Sequence, residues 1–495
     1  MCLKSFRNVN LQLTLIILLG LIIRLAGAAR AGIWYDEAVS LKLAAGSLST
    51  IYEGLVSSLD NSPPFFNLFL HFWIRLFGLH PQFVVELPSV LAGVLTIWLI
   101  FNVGRRFFNE RTAVIAALLL ALSPYHVKYS QEIRPYAWAA LFVLLSFYFF
   151  YNYLQGERKT PWGYYITTIL ALYTHNLVVL PFFCQTVWLI AHLIRRKITL
   201  RDFCRLSLPV ALVYLPWLIV TFIQTALVTA SADNWMGPLT WQKVFRFLER
   251  ISFNDGIKSR IFTIVALIPY LFAFARGLAS EPKKARNLLY VYLFGPTALL
   301  ILLSLTLRPL FIHRYLFFVL PAYILLLSEG LSCFSKSIQR YLLLGLMVLI
   351  SLTSLVFDYQ FPSSPHAKYT ESFIKQNYRS GDAFIFFDIM SYMGGSYYAA
   401  SKYPVFIYRP SRRKSELIPE NECFSHLDQL SGFSRLWIIE PQDNAPDWRT
   451  ILEASTENLT TFTVPKMRKG CQIKAIHLMI IKKNLRKNMN RVEKN

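Results

Sequence analysis

Apolar runs of about 18 to 25 residues recur along the first 357 residues of this chain, each followed by a short polar connector. A helix of that length crosses roughly 30 Å of hydrocarbon while satisfying its own backbone hydrogen bonds. With 55% of residues hydrophobic, 16% charged and a mean hydropathy of +0.40, the chain holds more apolar surface than a water-soluble fold can hide. It reads as an α-helical polytopic membrane protein. The pattern predicts eleven spans, at 11–30, 86–104, 112–127, 136–154, 162–174, 177–194, 206–226, 261–279, 288–306, 315–331 and 341–357.

The formal charge of +23 would suit a nucleic-acid partner if the Lys and Arg formed a continuous patch. Instead they concentrate in alternate connectors: Lys4 and Arg7; Arg105, Arg106 and Arg111; Arg158 and Lys159; Arg195, Arg196 and Lys197; Lys283 and Lys284; Lys336 and Arg340. That alternation is a topology signal, and it puts the N-terminus in the cytoplasm of a plasma (inner) membrane protein, with no nucleic-acid partner. Residues 11–27, with the small residues Ala26-Gly27-Ala28-Ala29 at their end, also fit a cleaved secretory signal, which would deliver the next loop to the same outer face.

The predicted organisation is a transmembrane domain over 1–357, an extracytoplasmic α/β domain over 358–481 and a basic tail over 482–495. The first outer loop, 31–85, holds a Pro-initiated apolar segment at 62–79 that fits a helix lying in the membrane interface. The C-terminal region shows a helical stretch at 366–378 and short β-prone runs at 383–389, 404–408, 436–440, 459–464 and 472–481. Six Cys show no metal-ligand spacing, and no metal site is expected; Cys423 and Cys471 could form a disulfide in an oxidising compartment.

Four polar clusters stand at predicted outer helix ends. Trp34-Tyr35-Asp36-Glu37 follows the first span, and a carboxylate at the lipid surface can accept a proton from an attacking hydroxyl or amine. The run 126–138 brings Lys128, Glu132 and Arg134 together, and the planar fork of Arg suits a phosphate. His175 lies in the turn Tyr173-Thr174-His175-Asn176, and His313-Arg314-Tyr315 precedes the tenth span. Taken singly, each cluster reads first as a hydrated turn with interface aromatics. All four fall on one side of the membrane in a topology drawn from basic residues alone, and the inner connectors hold no comparable mixture.

These residues resemble the multispanning glycosyltransferases of the GT-C fold that use lipid-phosphate sugars, among them protein O-mannosyltransferases, the aminoarabinose transferase of lipid A and lipopolysaccharide glycosyltransferases. The resemblance covers most of 10–330 and rests on Asp36-Glu37, Pro63-Pro64, Ser123-Pro124, the run Glu132-Ile133-Arg134-Pro135-Tyr136, Tyr173-Thr174-His175, and Arg314-Tyr315 leading to Pro321. It implies a polyprenyl-phosphate sugar as donor and a hexosyl or pentosyl transfer to an extracytoplasmic acceptor, a glycolipid or cell-envelope glycan before protein Ser/Thr. No cofactor is required on this reading, though a divalent ion remains compatible with it. The resemblance gives Asp36 the role of general base and Glu37 that of its helper. It makes Glu132 a residue that orients the acceptor or supports the base, and Arg134 and Arg314 neutralisers of the leaving phosphate. Lys128, His175 and His313 complete the expected substrate-binding set. Relatives often carry His or Lys before the double proline, where this chain has Asn61-Ser62. The alternative from another class is a lipid or glycan transporter or flippase, which predicts charges near the midplane and internally repeated halves.

Overall fold

The computed structural model describes residues 2–481 except 58, 158–159, 231–235, 254–258, 281–283, 361–365, 400–401, 409–417, 419, 425–426, 431, 442–455 and 464–472. The basic tail, Cys471, Arg158, Lys159 and Lys283 lie outside the described residues. The chain divides into two compact units, Met1–Ala28 with Ser47–Asp358, and Ala29–Gly46 with Tyr359–Asn495.

The first unit is helical. After α1 (Cys2–Gly27) the chain gives α2 (Tyr35–Ala45) to the second unit, then returns with α3 (Leu48–Val56) and α4 (Pro64–Phe77). The long series follows: α5 (Gln82–Phe107), α6 (Glu110–Leu122), α7 (Pro124–Tyr129), α8 (Tyr136–Leu154), α9 (Trp162–Leu172), α10 (Val179–Ile194) and α11 (Leu200–Ala230). It closes with α12 (Trp241–Ser252), α13 (Arg260–Leu278), α14 (Lys284–Thr306), α15 (Leu320–Ser332), which continues a 3₁₀ turn over His313–Val319, and α16 (Ser337–Gln360).

Among the described residues, nine helices are long and apolar enough to cross a bilayer. Eleven spans were expected, and the two without such a helix are 112–127 and 162–174. Ser123-Pro124 breaks the first of these into α6 and α7, because Pro124 starts a new helix whose N-cap is Ser123. The second folds as the eleven-residue α9. Burial separates centre from rim: 89% of the His313–Ser332 window is buried, against 17% of Val9–Gly27. Exposed Ile22, Phe222, Ile261 and Leu349 are side chains for lipid to cover. The expected interfacial segment 62–79 is α4, which begins at Pro64, buries Phe66, Asn67, Leu70 and His71, and exposes Phe72, Leu76 and Phe77.

The second unit contains α2, α17 (His366–Asn377), α18 (Ile389–Ala399) and a six-stranded sheet. Its strands are β1 (Asp382–Phe386), β2 (Val405–Tyr408), β3 (Cys423–Phe424), β4 (Arg435–Pro441), β5 (Thr456–Thr463) and β6 (Ile473–Ile481), in the order β3-β2-β1-β4-β6-β5. The first four are parallel, with Phe384 opposite Val405 on one side and Trp437 on the other, whereas β6 runs antiparallel to β4 and β5. Parallel strands need crossovers, and α18 supplies the one between β1 and β2. Every residue of β1 is buried, as befits a central parallel strand. The five β-prone runs all became strands; the two-residue β3 was not predicted.

Candidate functional site

The acidic pair opens α2, in the second unit. Trp34 is extended, and the Glu37 side chain folds back so that its Oε2 accepts the Trp34 backbone N–H at 3.1 Å. Both acids sit in the first turn, where the positive end of the helix dipole favours negative charge. Glu37 is buried and holds the helix start, while Asp36 is half-exposed.

The other six expected residues belong to the first unit. Arg134, in the turn between α7 and α8, pairs with Asp60: Nη1 donates to Oδ2 at 3.0 Å and Nη2 to Oδ1 at 3.3 Å. Nη2 also donates to Ser62 Oγ at 3.3 Å. Asp60 further accepts from the Ser62 backbone N–H and from Asn67 Nδ2 of α4. Burial alone would raise the Asp60 carboxyl, but the charge and hydrogen bonds of Arg134, with those of Ser62 and Asn67, hold it below the usual carboxylate range. Arg134 is thus committed to an internal ion pair at the very stretch, Asn61-Ser62, where a basic residue was missing. The same stretch is tied to the turn between α9 and α10, where Asn176 Nδ2 donates to Asn61 O at 2.8 Å and Phe65 N–H to Tyr173 O at 3.0 Å.

His175 lies in that turn, its ring between Tyr136 and Tyr315 at 5.6 and 5.8 Å. Enclosure of the ring, then the charges of Arg134 and Arg314, push its imidazole down to about 3, with Asp60 opposing them. The ring is therefore neutral at neutral pH and serves as a hydrogen-bonding group rather than a cation. His313 forms the second focus. Tyr125 OH donates to His313 O at 2.8 Å, and Tyr129 OH lies 3.3 Å from Nδ1. Arg314 follows His313 in the 3₁₀ turn, and Lys128 Nζ lies 5.7 Å from the centroid of the Tyr129 ring. Lys128 is also 4.0 Å from Glu132, one helical turn on. The two foci meet at the 3₁₀ turn, because Tyr315, whose ring faces His175 at 5.8 Å, stands two residues after His313.

Two members of this site, Asp60 and Arg250, were not singled out from sequence. Arg250 belongs to α12, capped by Thr240 and packed against α7 and the 3₁₀ turn. Its signal was available: the apolar residues Val244, Phe247, Leu248 and Ile251 recur at helical spacing between Lys243, Arg246 and Arg250. Among the described residues, no group of three His, Cys, Asp or Glu is placed to hold a metal ion.

The sequence model of the dolichyl-phosphate-mannose-protein mannosyltransferase family matches residues 61–220. No curated protein sequence matches the chain significantly. Among solved structures, ArnT from Cupriavidus metallidurans in the apo state superposes with a TM-score of 0.60 at 14% identity, covering 94% of this chain and 97% of that one. ArnT bound to undecaprenyl phosphate gives 0.56 at 14% identity, covering 95% and 98%. The Archaeoglobus fulgidus oligosaccharyltransferase in the apo form gives 0.49 at 13% identity, covering 79% and 63%. At these identities the likeness to ArnT is one of fold, and it extends over nearly the whole of both chains. The chain is therefore an integral membrane protein with the fold of ArnT, and its residues 61–220 match the sequence model of the dolichyl-phosphate-mannose-protein mannosyltransferase family.

Proposed function

We propose that this protein transfers a sugar from a polyprenyl-phosphate donor to an extracytoplasmic acceptor, a glycolipid or cell-envelope glycan in preference to protein Ser/Thr. The observation that carries the proposal is the packing, within a unit of membrane helices, of α7 with Lys128 and α12 with Arg250 against each other and of α12 against the 3₁₀ turn that holds His313 and Arg314. Basic side chains on neighbouring elements complement the charge of a phosphate, and the planar fork of Arg matches its oxygens. The binding of undecaprenyl phosphate by ArnT, a protein of the same fold, agrees with that ligand class.

In this reaction the acceptor hydroxyl or amine attacks the anomeric carbon, the bond from that carbon to the phosphate oxygen breaks, and the polyprenyl phosphate departs with the electron pair. Asp36 takes the proton of the acceptor, and Glu37 fixes the helix that carries it. Arg314, Arg250 and Lys128 stabilise the charge that grows on the phosphate. Arg134 acts by holding the 60–62 loop through Asp60, and Glu132 sets Lys128. His175 and His313 supply neutral and tyrosine-supported hydrogen bonds to the same substrate.

The test is purified protein in lipid nanodiscs with labelled polyprenyl-phosphate sugars and a membrane extract as acceptor source. Asp36→Asn is expected to lower transfer by about two to four orders of magnitude, the usual worth of a general base. Arg314→Ala and Arg250→Ala are expected to raise the donor KM. Equal transfer by native and Asp36→Asn protein would remove the base assignment. Movement of the donor lipid between leaflets without covalent transfer would point to a flippase instead.

A further inference from the structure

We propose that the C-terminal domain is the scaffold that holds the Asp36 helix in place, with Tyr392, Tyr398 and Lys42 as positioning residues for the reaction. The inference rests on Asp36 being the base. It follows from one fact of chain organisation: Ala29–Gly46 leaves the membrane unit and folds with Tyr359–Asn495.

An eleven-residue helix such as α2 is marginal by itself, because helices shorter than about 12–15 residues owe their stability to tertiary packing. Here the packing comes from α18. Ahead of Asp36, the Ile33 backbone N–H donates to Tyr398 OH at 3.2 Å. Beyond it, Lys42 Nζ lies over the Tyr392 ring, 4.7 Å from its centroid. Tyr392 is fully buried, and its OH donates to the Glu422 carboxylate beside β3. Burial lowers the Lys42 ammonium and Glu422 pulls it back up, so Lys42, Tyr392 and Glu422 form one coupled cluster. Arg30 adds a third tether, its guanidinium 5.3 Å from the centroid of the Tyr359 ring.

Asp36 therefore sits between two anchors that the C-terminal domain supplies, and Glu37 locks the backbone between them. A base must stand within hydrogen-bond reach of its proton, and a misplacement of about 1 Å can cost a hundredfold in rate. A module that clamps the base-bearing helix at both ends meets that need. It gives the sheet domain a part in the chemistry as the support of the base-bearing helix.

The experiment uses the full-length protein in nanodiscs and compares native protein, Tyr398→Phe, Lys42→Met and Tyr392→Ala. Amide hydrogen exchange of residues 33–45 reports the docking directly, and exchange of β1 reports whether the domain is still folded. Lys42→Met is chosen because it alters α2 and leaves the domain's own residues intact. The expected result is at least tenfold faster exchange in 33–45 with β1 unchanged, and kcat lower by roughly tenfold to a hundredfold at unchanged donor KM. Unchanged exchange of 33–45 in all three variants overturns the proposal. So does faster exchange at full kcat where Asp36→Asn is inactive. Full activity of Asp36→Asn would instead remove the base, while the exchange measurement would still decide whether the domain holds the helix.

Discussion

Asp60 and Arg134 stand 74 residues apart in sequence and form a buried ion pair, with side-chain exposures of 2% and 9%. Removing one partner leaves the other charge buried and uncompensated, so Asp60→Asn is expected to destabilise the protein by about 3–5 kcal/mol at pH 7. The pH dependence has a definite sign. The folded Asp60 carboxyl lies below its ordinary value of 3.8, so its stabilisation is complete above that value. It is lost as pH falls from there through the lower folded value. Thermal melting at pH 7 and at pH 3 is expected to show a smaller acid-induced loss for Asp60→Asn than for native protein; parallel losses would mean that the pair contributes nothing. What could be read at this scale was what adjacency displays. Asp36 beside Glu37, and Lys128, Glu132 and Arg134 within two turns, announce themselves in sequence. The partner of Arg134 does not, because Asp60 is an ordinary loop acid until folding brings it to the guanidinium.

At the scale of elements, α13 and α15 cross with almost no gap. A Cβ on Gly277 would come within 1.9 Å of Leu326 O, and one on Gly330 within 1.9 Å of Ala273 O. Both obstacles are backbone, which cannot swing aside, and small residues are what let membrane helices approach so closely. Gly330→Ala is expected to lower stability by about 1–3 kcal/mol or more through overpacking, read as a drop in melting temperature or in monodisperse yield. Gly345→Ala, where a new methyl meets nothing within 4 Å, is the control and is expected to be neutral. An equal effect of both would reduce the close crossing to an ordinary contact. The long helices were legible because length and apolarity are local properties. Short α6 and α9 were legible as apolar runs but not as short helices, since helix ends depend on neighbours: α6 is buried along most of its length and needs less reach than a lipid-facing span. The basic amphipathic α12 falls between the expected spans 206–226 and 261–279, where its charged face lowers the mean apolarity below that of a span.

At the scale of the molecule, the Asp60–Arg134 pair bears on how many times the chain crosses. Asp60 lies between α1 and α5, on the face that the chain reaches after its first span. If α6, of 13 residues and about 20 Å, did not cross, the turn that carries Arg134 would stand on the opposite face. It could not then reach Asp60. The bonds from Asn176 to Asn61 and from Phe65 to Tyr173 make the same argument for α9, whose far end must share the face of the 60–65 stretch. With these two added to the nine long helices the expected count is eleven crossings, and on that count the polar clusters of the first unit share one side. Counts of nine and of eleven are both odd, so the position of the C-terminal domain cannot distinguish them. Two internal positions can. In a protein whose native Cys are replaced, Lys128→Cys is expected to react with an impermeant maleimide added outside intact cells. Gly156→Cys, in the connector between α8 and α9, is expected to react only after the inner face is opened. Reaction of position 128 from the inside alone would mean that α6 does not cross, and a buried ion pair would then have to join two faces of the membrane, a geometry that a bilayer of roughly 30 Å forbids.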